Sequence, residues 1–231
     1  MKPTPVLNLL CLILLTCSCS SPSVSKEHKS NHTAQKNKED QETKICTNTD
    51  FDIEQHVNSF SQQIEDQEIV YNSEPLSDCS GMFIRLCKAT QEQCPKSTFP
   101  NTKTNRSTRA IARWYYEQDN LTLIEDASSA GELIRPGAVL FYGKGGKKFK
   151  NITIDMLTVS GGIEHVGTVT AVQKNTAGKV VSYTLFHGRS SGKIATRTNY
   201  HELKPKRKEL PPFGNWNQQL VAIAYLLTPE K

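Results

Sequence analysis

The sequence lacks the features that identify several common classes of protein. Its seven cysteines include no Cys-x-x-Cys pair, which weakens the case for a zinc site or a dithiol redox site. There is no internal repeat, and the glycine-rich loop 143–150 lacks the Gly-Lys-Ser/Thr ending of a phosphate-binding loop. The longest apolar run, Val6–Leu15, is too short to cross a bilayer as a mature helix.

The first 18 residues resemble a bacterial lipoprotein signal. Lys2 precedes the apolar run, and the run ends in Thr16-Cys17-Ser18-Cys19, where small residues stand before a cysteine. We expect lipidation at Cys19, with Cys17 as the alternative site and a cleaved signal without lipid as the alternative process. A lipid would anchor the protein to a membrane of the bacterial cell envelope, facing the periplasm or the cell surface.

Residues 19–49 are predicted to form a flexible tether, and residues 50–231 a single globular domain. The tether is rich in Ser, Lys, Glu and Asn and has almost nothing apolar to bury. The formal net charge of +5 falls to +4 when Lys2 is removed with the signal. This charge suits contact with anionic envelope polymers. Export and the lack of a recognised motif argue against a nucleic-acid partner, and we expect a monomer.

The domain is predicted to belong to the α+β class, with N-terminal helices packed on an antiparallel sheet. Helices are expected at about 52–65, 79–90 and 107–118 from apolar spacing and breakers. Strands are expected at 138–142, 166–172, 180–186 and 220–227, the middle two as a hairpin. The loop 143–150 is expected to be exposed to solvent, as is the basic segment 204–208.

The segment Asp78-Cys79-Ser80-Gly81 is the strongest functional signal. Asp78 or Ser80 suits the start of the second helix, and the thiol of Cys79 then lies at the positive end of the helix. That partial charge favours a thiolate near neutral pH. The backbone N–H of Cys79 is the first candidate for an oxyanion hole.

Two histidines lie at the ends of the predicted hairpin and are candidates for the imidazole base that a cysteine nucleophile needs. His165 comes just before the first strand and His187 just after the second, so the two are expected to be neighbours. We predict Cys79 as nucleophile, His165 as base and His187 as the group that orients it. His201 is the substitute if the strand register differs. The three could also ligate zinc, but no metal or cofactor is expected.

These residues, taken in order, resemble the NlpC/p60 cell-wall cysteine peptidases of the papain-like superfamily. The matching segments are Asp78-Cys79-Ser80-Gly81, Arg135-Pro136-Gly137, His165-Val166-Gly167 and His187. The resemblance implies a papain-like fold and a cysteine peptidase that hydrolyses amide bonds in peptidoglycan stem peptides. Family members often cleave between D-glutamate and the diamino acid.

The chain departs from the family pattern in front of the cysteine and between the strands. The Gly-Gly before the cysteine is absent, and Tyr71 is the candidate for the family's tyrosine near the oxyanion site. Asp78 and Ser80 are further substrate-contact candidates. Ala138 replaces the usual Asp after Pro-Gly, and the insert 143–162 is expected to shape the cleft. Two other functions stay open: a non-catalytic envelope lipoprotein that binds wall peptides, and a papain-like acyltransferase or amidase.

The remaining cysteines and rings have simpler interpretations. With Cys79 free, a disulfide is expected between Cys87 and Cys94 or between Cys46 and Cys94. His56 is expected to be solvated on the polar side of the first helix. Four aromatic residues are expected to pack in the core, with stacking on a glycan as the alternative: Trp114, Tyr115, Tyr116 and Trp216.

Overall fold

The computed structural model describes residue 46, residues 51–202 and residues 209–227. The signal with Cys17 and Cys19, most of the tether and the basic segment 204–208 lie outside the described residues. Within these ranges, none of the helices has the length and apolarity needed to span a membrane.

In the described part of the chain, three helices precede the sheet, as predicted. They are α1 (Ile53–Asp66), α2 (Cys79–Gln93) and α3 (Thr108–Glu117), and each begins after a capping residue. Those caps are Asp52, Asp78 and Ser107, whose side-chain oxygens accept a hydrogen bond from an N–H of the first turn. A 3₁₀ helix (Ala127–Leu133) and the short helix α4 (Ile154–Thr158) were not predicted.

Among the residues that the structure describes, six strands form one antiparallel sheet, which confirms the α+β class. The strands are β1 (Leu121–Leu123), β2 (Ala138–Gly143), β3 (Ile163–Lys174), β4 (Val180–His187), β5 (Thr196–His201) and β6 (Leu220–Tyr225). Their order across the sheet is β1-β6-β2-β3-β4-β5. The sequence did not reveal β1, which has three residues, or β5, whose polar pattern lacks an apolar alternation.

The sheet is covered on both faces. One face packs against the three helices through residues such as Phe83, Phe141 and Val166. The other face packs against the 3₁₀ helix and Phe213 through a cluster that includes Tyr142 and Tyr183. This explains why β2 reads as a continuous apolar run, since all six of its residues are buried.

Several side chains lie elsewhere than the sequence predicted. His56 is buried, not solvated, because its Nε2 lies 3.0 Å from the hydroxyl of Thr90 and satisfies a polar atom between α1 and α2. Tyr115 is in the core as expected, but Tyr116 and Trp216 are 45% and 59% exposed. In the loop 143–150 the lysines are exposed as predicted, whereas Phe149 is buried.

A disulfide joins Cys46 to Cys94, one of the two pairings left open by the sequence. Cys87, the other candidate, is a free thiol buried in the core. Cys46 belongs to the segment predicted as tether, so the bond attaches that segment to the residue that caps the end of α2.

Removing this disulfide should destabilise the domain markedly. The bond spans 48 residues of sequence, and a cross-link over such a loop restricts the unfolded chain. We expect Cys46→Ala/Cys94→Ala to lower the free energy of unfolding by about 3–4 kcal/mol in urea denaturation. A reductant should move the wild-type midpoint to that of the double variant and leave the variant unchanged. Equal midpoints for the oxidised wild type and the variant would contradict the expectation.

Candidate active site

The start of α2 is shaped by the segment Asp78-Cys79-Ser80-Gly81. Asp78 is the N-cap, and its Oδ1 accepts a hydrogen bond from the N–H of Gly81 at 2.6 Å. Cys79 is the first helical residue. Gly81 is required because a Cβ there would lie 2.4 Å from backbone atoms of Leu76, which crosses the helix at this point. Asp and Gly thus serve to place Cys79 at the helix N-terminus.

The thiol of Cys79 lies against the beginning of β3. Its Sγ is 4.0 Å from the carbonyl oxygen of Glu164, and the backbone N–H of Val166 acts to lower the pKa of the thiol. These two residues flank His165 in the chain. The contact brings the nucleophile candidate to the strand that carries the base candidate.

The end of β4 approaches the same point. A Cβ on Gly188 would lie 2.8 Å from the carbonyl carbon of Asp78 and 2.9 Å from the amide nitrogen of Cys79. Only glycine allows this approach, and Gly188 directly follows His187. Cys79 is therefore held where the start of β3 and the end of β4 meet.

The two histidines are neighbours, as the hairpin predicted. Nε2 of His165 and Nδ1 of His187 are 2.7 Å apart, and the two rings are nearly perpendicular. The last residue pair of the β3–β4 ladder at this end is Thr168 with Phe186, so His187 lies diagonally across from His165. Both side chains are buried. Their hydrogen bond uses Nε2 of His165 and leaves Nδ1 as its other possible proton acceptor.

Burial controls the protonation of the thiol and the base. It raises the pKa of Cys79 to about 11, the negative charge of Asp78 adding to the effect and backbone N–H groups of Val166, Ser80 and Cys79 opposing it. Burial lowers the pKa of His165 to about 4. The prediction that Cys79 is a thiolate near neutral pH is therefore wrong for this state, in which the thiol of Cys79 and the imidazole of His165 are both neutral.

The thiol and the imidazole are not directly joined in this state. Among the described residues no hydrogen bond connects Sγ of Cys79 with the ring of His165, and Sγ instead contacts the backbone of β3. Catalytic hydrogen bonds are often long in the absence of substrate and shorten when it binds. The His165 ring lies beside Tyr142 and His187, so transfer of a proton from sulfur to the imidazole would require the two side chains to move closer together.

Cys79 opens onto a pocket of about 470 Å³. Tyr71 lies in this pocket beside the thiol. Burial raises the pKa of Tyr71 to about 12, with further contributions from the charges of Cys79 and Asp78. The remaining lining residues are Asp78, Ser80, Arg106, Ser107, Thr108 and Glu164. All three substrate-contact candidates, Tyr71, Asp78 and Ser80, are thus brought to the pocket.

Arg106 is the residue of this pocket that the sequence did not reveal. Its guanidinium donates to Oγ of Ser80 at 2.6 Å and to Oδ2 of Asp78 at 3.0 Å. Although burial acts to raise the pKa of Asp78, hydrogen bonds from Arg106, Gly81 and Ser80 hold it below its usual value. Arg106 stands directly before the cap of α3, and only the packing of α3 beside α2 brings it here. No local sequence pattern signals that contact.

Other candidates lie apart from this pocket. His201 is exposed at the end of β5, paired with Ser182, so it does not replace His187. A larger groove of about 660 Å³ lies between the start of α1 and Tyr225–Leu227, and its lining contains neither cysteine nor histidine. In the part of the chain that the structure describes, no group of three His, Cys, Asp or Glu side chains is arranged to hold a metal ion.

Comparison of the chain with protein-family models, with curated proteins and with solved structures finds no match in any of the three.

The electrostatics of the site predict how Cys79 reacts with alkylating agents. Its modification by iodoacetamide should be slow at pH 7 and should accelerate towards pH 11, because the thiol must first lose its proton. Asp78→Asn keeps a capping side chain but removes the negative charge, so the pH midpoint should fall. Peptide mapping by mass spectrometry separates Cys79 from the buried Cys87. A wild-type rate that is already constant below pH 7 would contradict this description.

Proposed function

We propose that this chain is a cysteine hydrolase of the bacterial cell envelope that cleaves amide bonds in peptidoglycan stem peptides. The observation that carries the proposal is the meeting of Cys79, at the start of α2, with the strand ends that bear the hydrogen-bonded pair His165 and His187. An accessible pocket lies in front of the thiol. A nucleophile that lines a pocket, together with a base and an orienting group on the strands it contacts, supplies the parts that acyl transfer needs.

In the proposed reaction, Nδ1 of His165 takes the proton of the thiol as Sγ attacks the carbonyl carbon of the substrate. Because the resting pair is neutral, this proton moves during the attack and not before it. His165 then gives the proton to the leaving amine, and a thioester forms on Cys79. Water attacks the thioester with His165 again as base, which releases the carboxylic acid and restores the thiol.

Charge that develops in this reaction has partners at the site. The N–H groups of Cys79 and Ser80 lie close to Sγ at the helix start, where they can bind the oxyanion of the tetrahedral intermediate. The imidazolium that forms on His165 can donate through Nε2 to Nδ1 of His187. The Tyr71 hydroxyl, beside the thiol, is a third candidate donor to the oxyanion.

The choice of peptidoglycan as substrate rests on the sequence. The lipoprotein-type signal supports a location in the envelope, where stem peptides are abundant amides. The order of its motifs resembles that of the NlpC/p60 family, which has a papain-like fold. That resemblance favours the bond between D-glutamate and the diamino acid as the bond cleaved. The helix-start cysteine packed on an antiparallel sheet supports that resemblance.

A second function, binding of wall peptides without catalysis, is favoured by one observation. Cys79 is only 6% exposed and its pKa is raised, as for an inert buried thiol. Slow alkylation at neutral pH does not separate the two functions, because the proposed enzyme also rests as a thiol. Release of wall fragments does separate them.

Substitutions at the site should reduce the release of fragments from purified cell wall to different extents. Cys79→Ala should abolish the release of fragments, because no acyl-enzyme can form, and His165→Gln should reduce it by about 10²-fold or more. Mass spectrometry of the fragments measures the release and identifies the bond cleaved, and an added amine shows whether acyl transfer competes with water. His201→Gln, outside the pocket, is the matched control and should keep wild-type activity. Undiminished cleavage by Cys79→Ala would overturn the proposal.

A further inference from the structure

The hydrogen bonds of the histidine pair continue into the sheet on the side of His187. Nε2 of His187 lies 3.3 Å from the hydroxyl oxygen of Tyr200 and 3.3 Å from that of Thr198, both on β5. Tyr200 in turn donates its hydroxyl hydrogen to Oδ1 of Asn215 at 2.8 Å. The amide of Asn215 donates through Nδ2 to Oε1 of Gln218 at 2.6 Å.

The direction of these bonds determines which ring nitrogen carries each proton. Two neutral imidazoles 2.7 Å apart share one hydrogen, so either His165 or His187 is the donor. If His187 donated from Nδ1, its Nε2 would be a bare acceptor and would need a hydroxyl hydrogen. Thr198 could supply one, but the lone pair of Nε2 would still face the oxygen of Tyr200, whose single hydroxyl hydrogen is accepted by Asn215.

The opposite arrangement satisfies every group. His187 carries its hydrogen on Nε2 and donates it to the hydroxyl oxygen of Tyr200, so Nδ1 of His187 accepts from Nε2–H of His165. His165 then has a bare Nδ1, which is the atom that must take the proton of the thiol.

We propose that Tyr200 is a positioning residue: with its hydrogen held by Asn215, it accepts from His187 and fixes His165 in the tautomer with a bare Nδ1. The preference for this tautomer follows from the direction of the Tyr200 hydrogen bond. Its consequence for catalysis rests on the proposed function.

Tyr200 is suited to this task because it is rigid. It is buried, and its ring stacks on that of Tyr183 at 5.5 Å with an angle of 15° between the planes. The strand register places the two directly opposite each other on β4 and β5. The hydroxyl of Thr198 rotates more freely and can either donate or accept, so it imposes no direction on His187.

The test is the tautomer of each histidine, read from ¹⁵N chemical shifts and long-range couplings in histidine-labelled protein. Wild type should show His165 protonated at Nε2 and His187 protonated at Nε2. Tyr200→Phe removes the acceptor and should give a mixture of tautomers at His165. Tyr183→Phe is the matched control, because that hydroxyl bonds to Tyr142 and the carbonyl of Phe213 and not to a histidine. It should keep the wild-type pattern.

A second variant tests the same inference if Tyr200→Phe does not fold. Asn215→Leu leaves the tyrosine stack intact but removes the Asn215 acceptor of the Tyr200 hydroxyl hydrogen, which can then turn towards His187, so the variant should shift both histidines towards the other tautomer. An unchanged ¹⁵N pattern in a folded Tyr200→Phe or in Asn215→Leu would overturn the inference.

Activity gives a separate readout. Release of wall fragments by Tyr200→Phe should fall by about tenfold or more in kcat with KM unchanged, because base function and not binding is affected. Tyr183→Phe should stay near wild type. If wild type releases no fragments while the tautomers respond as stated, the proposed function fails and the positioning role of Tyr200 stands. If kcat falls equally in both variants, the loss is structural and the catalytic role is overturned.

Discussion

The close contact between the first turn of α2 and the ends of β3 and β4 is the constraint on which the rest of the site depends. It is made by backbone: Gly188 lies against the peptide that joins Asp78 to Cys79, and the thiol lies against the strand backbone around His165. Because no flexible side chain intervenes, the position of the sulfur relative to both histidine-bearing strands is set by the packing of helix on sheet. The helix cap at Asp78 fixes the backbone at the start of α2, and with it the direction in which the side chain of Cys79 extends.

The same contact explains the unusual electrostatics. Bringing Cys79 between helix and sheet removes it from water, and the two histidines are covered by the sheet and its tyrosines. Burial disfavours charge on all three, so the resting site is neutral and hydrogen-bonded. In the proposed reaction, charge arises only when substrate arrives, and the helix-start N–H groups and the histidine pair would stabilise it. Arg106 holds the carboxylate of Asp78, which lines the pocket, in a hydrogen-bonded ion pair.

The sequence predicted the parts of this site that depend on local structure. Helix caps, apolar spacing and the hairpin located α1, α2, α3, β3 and β4, and the position of the histidines at the hairpin ends predicted their contact. Long-range packing was not predictable in this way. Arg106, the burial of His56, the pairing of Cys46 with Cys94 and the strand β5 with Tyr200 depend on segments far apart in the chain. The raised pKa of Cys79 was also not predictable from the sequence, because the depth to which the thiol is buried follows from long-range packing and not from the helix start.

The central claim is that Cys79 forms a covalent intermediate with a wall peptide. It is tested most directly by quenching the protein in acid during digestion of purified peptidoglycan and mapping its peptides by mass spectrometry. The account predicts a thioester-linked stem-peptide acyl group on the peptide that contains Cys79, released by hydroxylamine and absent without substrate. Fragments released over many turnovers with Cys79 never modified in rapidly quenched samples, and with cleavage retained after Cys79 is replaced, would contradict it.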